Sequence, residues 1–497
     1  MHVLDWVVVV FFFVLMVVIG GWSFRKVQGS KDFFVAGGKL PWWLSGISHH
    51  VSGYSGAVFV AYAGIAYTHG FTIYVWWALV IVAAVLIGAF TIAPLWARLR
   101  VNYNIESPTE YLALRYNVAS QQMMAWSGVI LKLFDVGAKW AAIGILLSLF
   151  TGVPIEYGIL ISGVVSLIYI TIGGLWADVW TDLAQLVIQM VAALTMFFVV
   201  MSMMGGVSSI TGIWSELPEG HTQAFNEPYT LLYVLLYFFV VFLSYNGGTW
   251  NLATRYISSP SPKDAKKSAL LSAGLYLVIP LILFFPMWAA PLILPNLEDP
   301  QQSYALLTME LLPVGLVGLV LSGLFAATMS MTSADANTVS AVITRDILPV
   351  VSKKFRGMDR KKSLRLARIT TFIFTFATLI IGIQHEQFGG VFGLIIEWFG
   401  ALIGPISVPM ILGLVPAFRY CNSKAAIASV IAGLSMFVVT KIVDVPLSLA
   451  VGSPVVTSLI VFIGLGILSR NQPIKPEVAE LLNTKSVKHS DSYSKSL

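Results

Sequence analysis

Charge is what this sequence has least of. Asp, Glu, Lys and Arg make up 11% of its 497 residues, while 57% are hydrophobic. A soluble globular domain carries about 25% charge. The shortfall excludes an ordinary soluble fold and points to a chain that crosses a membrane many times. Cysteine is nearly absent too. The single Cys421 excludes an intramolecular disulfide and any cysteine-built metal site. The formal charge of +6 is no nucleic-acid signal, because the basic residues sit between apolar runs, where they orient a membrane protein. No soluble enzymatic domain is visible in the short connections, and no nucleophile or metal cluster stands near Cys421. The repeated filter segment of an ion channel is missing as well.

What is present is a series of apolar runs, each long enough for about 30 Å of hydrocarbon. They fall near residues 5–22, 42–68, 73–96, 123–149, 153–172, 180–204, 229–254, 268–293, 311–343, 366–383, 389–416, 425–440 and 449–468. The expectation is therefore an all-α polytopic membrane protein of about thirteen spans. Residues 1–22 lack a basic n-region and a small-residue cleavage site, so the first run is expected to be a retained helix. Basic residues follow every second span: Arg25, Lys26, Lys31 and Lys39; Arg98, Arg100 and Arg115; Arg255, Lys263, Lys266 and Lys267; then a dense group from Arg345 to Arg368. The alternate connections carry Glu216, Glu219, Glu227, Glu298 and Asp299. The positive-inside rule then places the N-terminus outside and the C-terminus in the cytoplasm of a plasma (inner) membrane. The tail from Arg470 is polar and is expected to be disordered.

Two spans break the apolar pattern. Residues 43–70 carry His49, His50, Ser52, Gly53, Tyr54, Ser55 and Gly56 at mid-membrane depth. Residues 244–251 read SYNGGTWN. Irregular backbone inside a membrane is tolerated only where protein or a watery cavity satisfies it. Broken helices of this kind hold the ion and solute in secondary transporters. The competing reading is glycine used for close helix packing. Two breaks, one early in each half, suggest paired repeats at 41–204 and 229–416, separated by a connection at 205–228. An extra helix and loop at 1–40 and two helices at 417–470 flank them, before a tail at 471–497. Five spans per repeat make the two halves opposite in orientation.

Four stretches carry a family pattern: DFFVAGGKLPWW at 32–43, SPTEYLALRYN at 107–117, GGLWADVWTDLAQ at 173–185 and AATMSMTSADANTVSAVITRDI at 326–347. The chain resembles the sodium:solute symporter family, which includes sodium-coupled transporters for sugars, proline, pantothenate and sialic acid. The resemblance implies a five-plus-five inverted-repeat (LeuT-like) core with additional helices. It also implies sodium as coupling ion, a small organic solute taken up by alternating access, and no other cofactor. The expected surroundings are a lipid bilayer, with no nucleic acid and a monomer as the working unit.

Sodium is a hard cation that takes oxygen ligands, by the logic that governs calcium. Carried onto this chain, the family's sodium site implies the carbonyls of Val51, Tyr54 and Ala327 and the hydroxyl of Ser330. The family usually has a second hydroxyl after that serine; here the residue is Met331, a poor sodium ligand. Some relatives have a second site, which implies Asp182 and Ser333, although the neighbouring serine position is Ala334. Asp182 equally suits a helix-start cap.

For the solute, Asp135 and Lys139 stand four residues apart, hence on one helix face. They either neutralise each other or meet a carboxylate-bearing solute. The family's sugar-binding polar groups are missing at the positions aligned with Val75, Tyr276 and Ile396, with Glu397 beside the last. That speaks against a neutral hexose held in the family's manner. The remaining candidate liners are His49, His50, Tyr54, Asn246, Thr249, Trp250, Asp135, Lys139 and Glu397. A neutral-sugar symporter and a transporter-like sensor without net transport stay open as alternatives.

Overall fold

The computed structural model describes residues 1–388, 401–443 and 445–483. Among them, ten helices are long and apolar enough to cross a membrane. In chain order the membrane helices are α1 (Val3–Ser23), the short pair α2 (Trp42–Val51) and α3 (Ala61–His69), α4 (Tyr74–Tyr103), α5 (Val118–Thr151) and α6 (Ile155–Met203). There follow the second short-ended pair α7 (Leu231–Leu243) and α8 (Asn251–Ile257), then α9 (Pro262–Ile293), α10 (Leu316–Val342) and α11 (Arg360–Ile383). The last three are α12 (Ala401–Leu412), α13 (Ser423–Ile442) and α14 (Leu447–Leu468).

The 49 residues of α6 would extend roughly 74 Å as one straight helix, far more than one crossing needs. The helix bends at Gly174, whose φ of 53° and ψ of −144° are open to glycine and strained for other residues. Two crossings, not one, result, in line with the separate runs at 153–172 and 180–204. The first part of the expected span at 389–416, residues 389–400, lies outside the described residues, and α12 belongs to its second part.

Both expected breaks are present. Between α2 and α3 the backbone leaves the α-helix at Ser52 and resumes as a short 3-10 turn at Gly56–Phe59. Between α7 and α8 lies a π-turn, Ser244–Gly248, with Gly247 at φ 121°. Trp250 follows with φ 69°, a rare left-handed conformation for a bulky residue.

α10 sits at the centre and packs against α6, α1 and α5. Of its most apolar window 89% is buried within the protein, against 28% for α1, which marks α1 as peripheral. The apolar surfaces of α1, α7 and α11 that face outward are the surfaces a bilayer covers.

Several basic residues that read as loop charges are built into the fold. Arg115 donates to the carbonyls of Gly413, Phe418 and Cys421, and Arg100 to those of Ile257 and Ser259. Positive groups at carbonyl-rich helix ends are favourable. The first part of the tail differs from its expectation, while residues 484–497 lie outside the described residues. Pro476–Leu482 is a helix with Val478, Leu481 and Leu482 buried, and Arg98 holds the carbonyls of Leu481 and Asn483. Three apolar residues in a polar segment suffice once an arginine fixes the helix end.

Candidate functional site

The first break meets α10 and α6 in a buried polar cluster. Asp178 and Asp182 lie one turn apart on α6, and Ser330 and Ser333 one turn apart on α10. Ser330 Oγ donates to Asp182 Oδ1 at 2.5 Å, and Ser333 donates to Asp178. Ser48 on α2 and Ser52 just past its end both donate to Asp182, and the Ser52 and Ser330 hydroxyls are 3.2 Å apart. The backbone N–H of Gly56 donates to Thr328 Oγ1 at 3.0 Å, pinning the break onto α10.

Arg255, on α8, enters this cluster. Its Nη2 lies 2.5 Å from Asp178 Oδ2 and 3.3 Å from Asp182 Oδ2 and donates to Ser52, while its Nε donates to Ser48. The sequence reading assigned Arg255 to a connection; it is wholly buried instead. The break after Gly248 turns α8 back into the protein, so a charge at the end of an apolar run lands inside. As ionised groups, two carboxylates and one guanidinium sum to one negative charge, which a single monovalent cation balances.

A second charged cluster lies between α5 and α10. Lys132 and Lys139 each bridge Asp135 and Asp335, with the four contacts between 2.7 and 2.9 Å. All four side chains are buried, and the charges cancel. The expected Asp135–Lys139 pair is present, at 2.8 Å. It is half of a quartet: the sequence reading left Asp135 with one partner, and Lys132 supplies another.

Lys139 and Asp135 also line a cavity of about 160 Å³, together with Tyr54, Thr249 and Met331. Trp76, Trp77, Tyr233, Tyr237 and Tyr245 form an aromatic wall. Among the described residues these two are the only charged side chains on that lining. The lining reaches Tyr229 and Gln301, which belong to the connections at 205–230 and 294–302. On the other side of the protein the connection at 104–110 is tied to the extension of α10. Arg345 pairs with Glu110 at 2.9 Å, and Ser107 donates to Asp346 at 2.5 Å. Burial pushes the Glu106 carboxyl up, against the pull of Arg345.

The remaining expected residues fall elsewhere. His49 contacts Ser272 Oγ, Tyr256 Oη and the Tyr245 carbonyl, fully buried behind the cavity. His50 is packed between the rings of Tyr54 and Tyr276. Asn246 donates to the carbonyls of Ala84 and Phe242 and stabilises the π-turn. Trp250 is buried with its ring against Gly128. None of these four borders the cavity. Val51 closes α2, and Ala327 is buried in α10 one turn before Ser330. Met331 points to the cavity, about 100° around the helix from Ser330. Glu397 lies outside the described residues.

Sequence reasoning missed Asp178, Arg255, Lys132 and Asp335. Three carried a usable signal. Asp178 is one turn before Asp182, Lys132 one turn before Asp135, and Asp335 follows Ser330 by five residues in the quoted stretch. Mid-span charges at helical spacing are rarely alone.

Comparison with known proteins agrees with this architecture. The sodium/sialic acid symporter NanT of Aliivibrio fischeri is 25% identical over 84% of this chain and 83% of its own. The sodium/glucose cotransporter of Vibrio parahaemolyticus is 24% identical over 90% of this chain and 86% of its own. A solved substrate-bound, outward-open structure of a sodium-coupled sialic acid symporter superposes with a TM-score of 0.82. It shares 20% identity and covers 95% of this chain and 99% of that one. The fold is thus the five-plus-five inverted repeat with extra helices. The profile of the sodium:solute symporter family matches residues 33–433. This chain therefore belongs to the sodium:solute symporter family, transporters that couple sodium movement to the passage of a small organic solute by alternating access.

Proposed function

We propose that the solute is a small organic carboxylate anchored on Lys139, and that sodium sits where the break between α2 and α3 meets α10. The carbonyls of Val51, Tyr54 and Ala327 and the hydroxyl of Ser330 form the main ion site, with Asp182 and Ser333 as a second, deeper pair of ligands. One observation carries the solute reading: in a wall of aromatic and aliphatic side chains with a few uncharged polar groups (Ser55, Ser244, Thr249 and Gln301), the only charges among the described residues are Lys139 and Asp135. A carboxylate buried in such a wall needs a fixed positive partner, and Lys139 is the side chain able to act as one. The excess negative charge around Asp178, Asp182 and Arg255 supports a cation nearby.

In our reading the N-terminus faces outside, so the cavity, bordered by Tyr229 and Gln301, opens outward and the Arg345–Glu110 pair closes the cytoplasmic side. A single chain supplies both clusters and the cavity, which fits a monomer in the plasma membrane. The rival solute is uncharged and stacks on the aromatic wall. It is favoured by the two carboxylates that already satisfy Lys139.

A thermal-shift screen separates the two. Sugars, sugar acids, amino acids and small carboxylates are tested on the purified protein with and without sodium. The expected result is a sodium-dependent shift from a carboxylate, abolished in Lys139→Gln while the shift from sodium alone persists. That variant leaves the quartet with one excess negative charge, so Lys139→Gln with Asp135→Asn restores neutrality and serves as the folding control. A shift by neutral sugars alone that survives Lys139→Gln would return the quartet to a structural role.

A further inference from the structure

Residues 353–368 carry eight Lys or Arg against a single acid, Asp359. They span the end of the connection after α10 and the first turns of α11, on the side of the protein where Arg345 meets Glu110. The positive-inside rule asks only for such charge near the membrane, in no fixed arrangement. Here part of it is fixed. Arg368 donates to the carbonyl of Ile172 at 3.1 Å, and its guanidinium lies 5.1 Å from the centre of the Phe24 ring. Arg360 pairs with Asp32 at 3.2 Å. These contacts hold the start of α11 against α6 and against the connection after α1. Between the two anchors, Lys361 and Arg365 are exposed, and among the described residues neither side chain has a hydrogen bond or an ion pair.

Lys361, Arg365, Arg368, Phe372 and Phe376 follow at intervals of four, three, four and four residues, so they share one face of α11. Its cations are gathered at one end and its aromatic rings at the other. Phe372 is 49% exposed and Phe376 53%, and the two rings stack. An apolar face of this kind is covered by acyl chains in a bilayer. The phosphate of a lipid lies at the head of its chains, and guanidinium groups match phosphate oxygens in geometry as well as charge. A basic cluster that opens onto such a face is complementary to an anionic lipid at both ends. A free phosphate would satisfy the cations and leave the phenylalanines uncovered.

We propose that this face of α11 is a binding site for an anionic phospholipid. The phosphate sits on Lys361 and Arg365, and an acyl chain runs along Phe372 and Phe376. Arg368 keeps the site in place through Ile172 and Phe24, so the lipid fills the junction between α11 and the end of α1.

The test titrates the purified full-length protein, in dodecyl maltoside at low ionic strength, with dioleoyl phosphatidylglycerol and reads thermal stability. Three proteins are compared: the parent, Lys361→Gln with Arg365→Gln, and Lys353→Gln with Lys354→Gln, which removes the same charge outside α11. Phosphatidylglycerol is expected to raise the unfolding temperature of the parent more than dioleoyl phosphatidylcholine does. The Lys361/Arg365 double variant is expected to need at least about tenfold more phosphatidylglycerol for half of that shift, and the Lys353/Lys354 variant to stay within about twofold of the parent. Equal weakening of both double variants would mean diffuse attraction and refute a site. An equal shift from phosphatidylcholine, or from glycerol 3-phosphate at the same concentration, would also overturn the proposal, as would no shift in the parent. Should the Lys361/Arg365 variant fail to fold, Arg365→Gln decides alone: an unchanged phosphatidylglycerol requirement overturns the site.

Discussion

At the scale of single residues, two positions one apart on α10 have separate duties. Ser330 faces the carboxylates of α6, and Met331 faces the cavity. Our account expects Met331→Ser to add a hydroxyl within reach of the ion and so to lower the half-saturating sodium concentration several-fold. The lost thioether packing should cost about 1–3 kcal/mol of stability. A sodium titration of thermal stability checks both, and an unchanged or weaker sodium requirement in a folded variant means the site is complete without that hydroxyl. Residue types were readable here to different degrees. Asp182, Ser330 and Ser333 were identifiable through the motifs that carry them. His49 and His50 were not assignable, since adjacent residues on a helix point about 100° apart and sequence does not say which neighbour accepts a hydrogen bond. The structure gives His49 three polar contacts and leaves His50 between two tyrosine rings.

At the scale of elements, the half-helices are held by charge as much as by packing. Arg255 on α8 joins α2 and α6 through Ser48, Ser52, Asp178 and Asp182. Removing one member of a buried ion pair typically costs about 3–5 kcal/mol, because the partner is left uncompensated. Arg255→Met should therefore lower thermal stability strongly in sodium-free buffer. Because sodium supplies the missing positive charge, the sodium-induced shift should be larger than in the parent protein. A shift equal to or smaller than the parent's would separate the cation from this cluster. Element-level features were legible where polar residues and glycines interrupt an apolar run, as at 52–56 and 244–251. Arg255 escaped because hydropathy treats each run as a straight rod and reads a terminal charge as a loop. The turn at Gly174 was legible as the gap between the runs at 153–172 and 180–204, although the helix continues through it with no loop between the two crossings. The Pro476–Leu482 helix escaped because its stability comes from docking under Arg98, not from its own composition.

At the scale of the whole molecule, the two breaks and the central α10 border one cavity. The low charge content, the thirteen-run pattern and the family stretches made the fold legible before any coordinates. The solute was not, because the cavity is assembled from helices far apart in sequence and its lining is largely aromatic and aliphatic, with few directed polar groups. The measurement that bears most directly on the account is uptake, by protein-containing liposomes, of the carboxylate selected in the thermal-shift screen. An inward sodium gradient is imposed at fixed pH, for the parent and for Lys139→Gln. The account predicts accumulation above equilibrium in the parent only when the gradient is sodium, and none in Lys139→Gln although that variant still binds sodium. Equal uptake with sodium replaced by potassium, or full accumulation by Lys139→Gln, would contradict it.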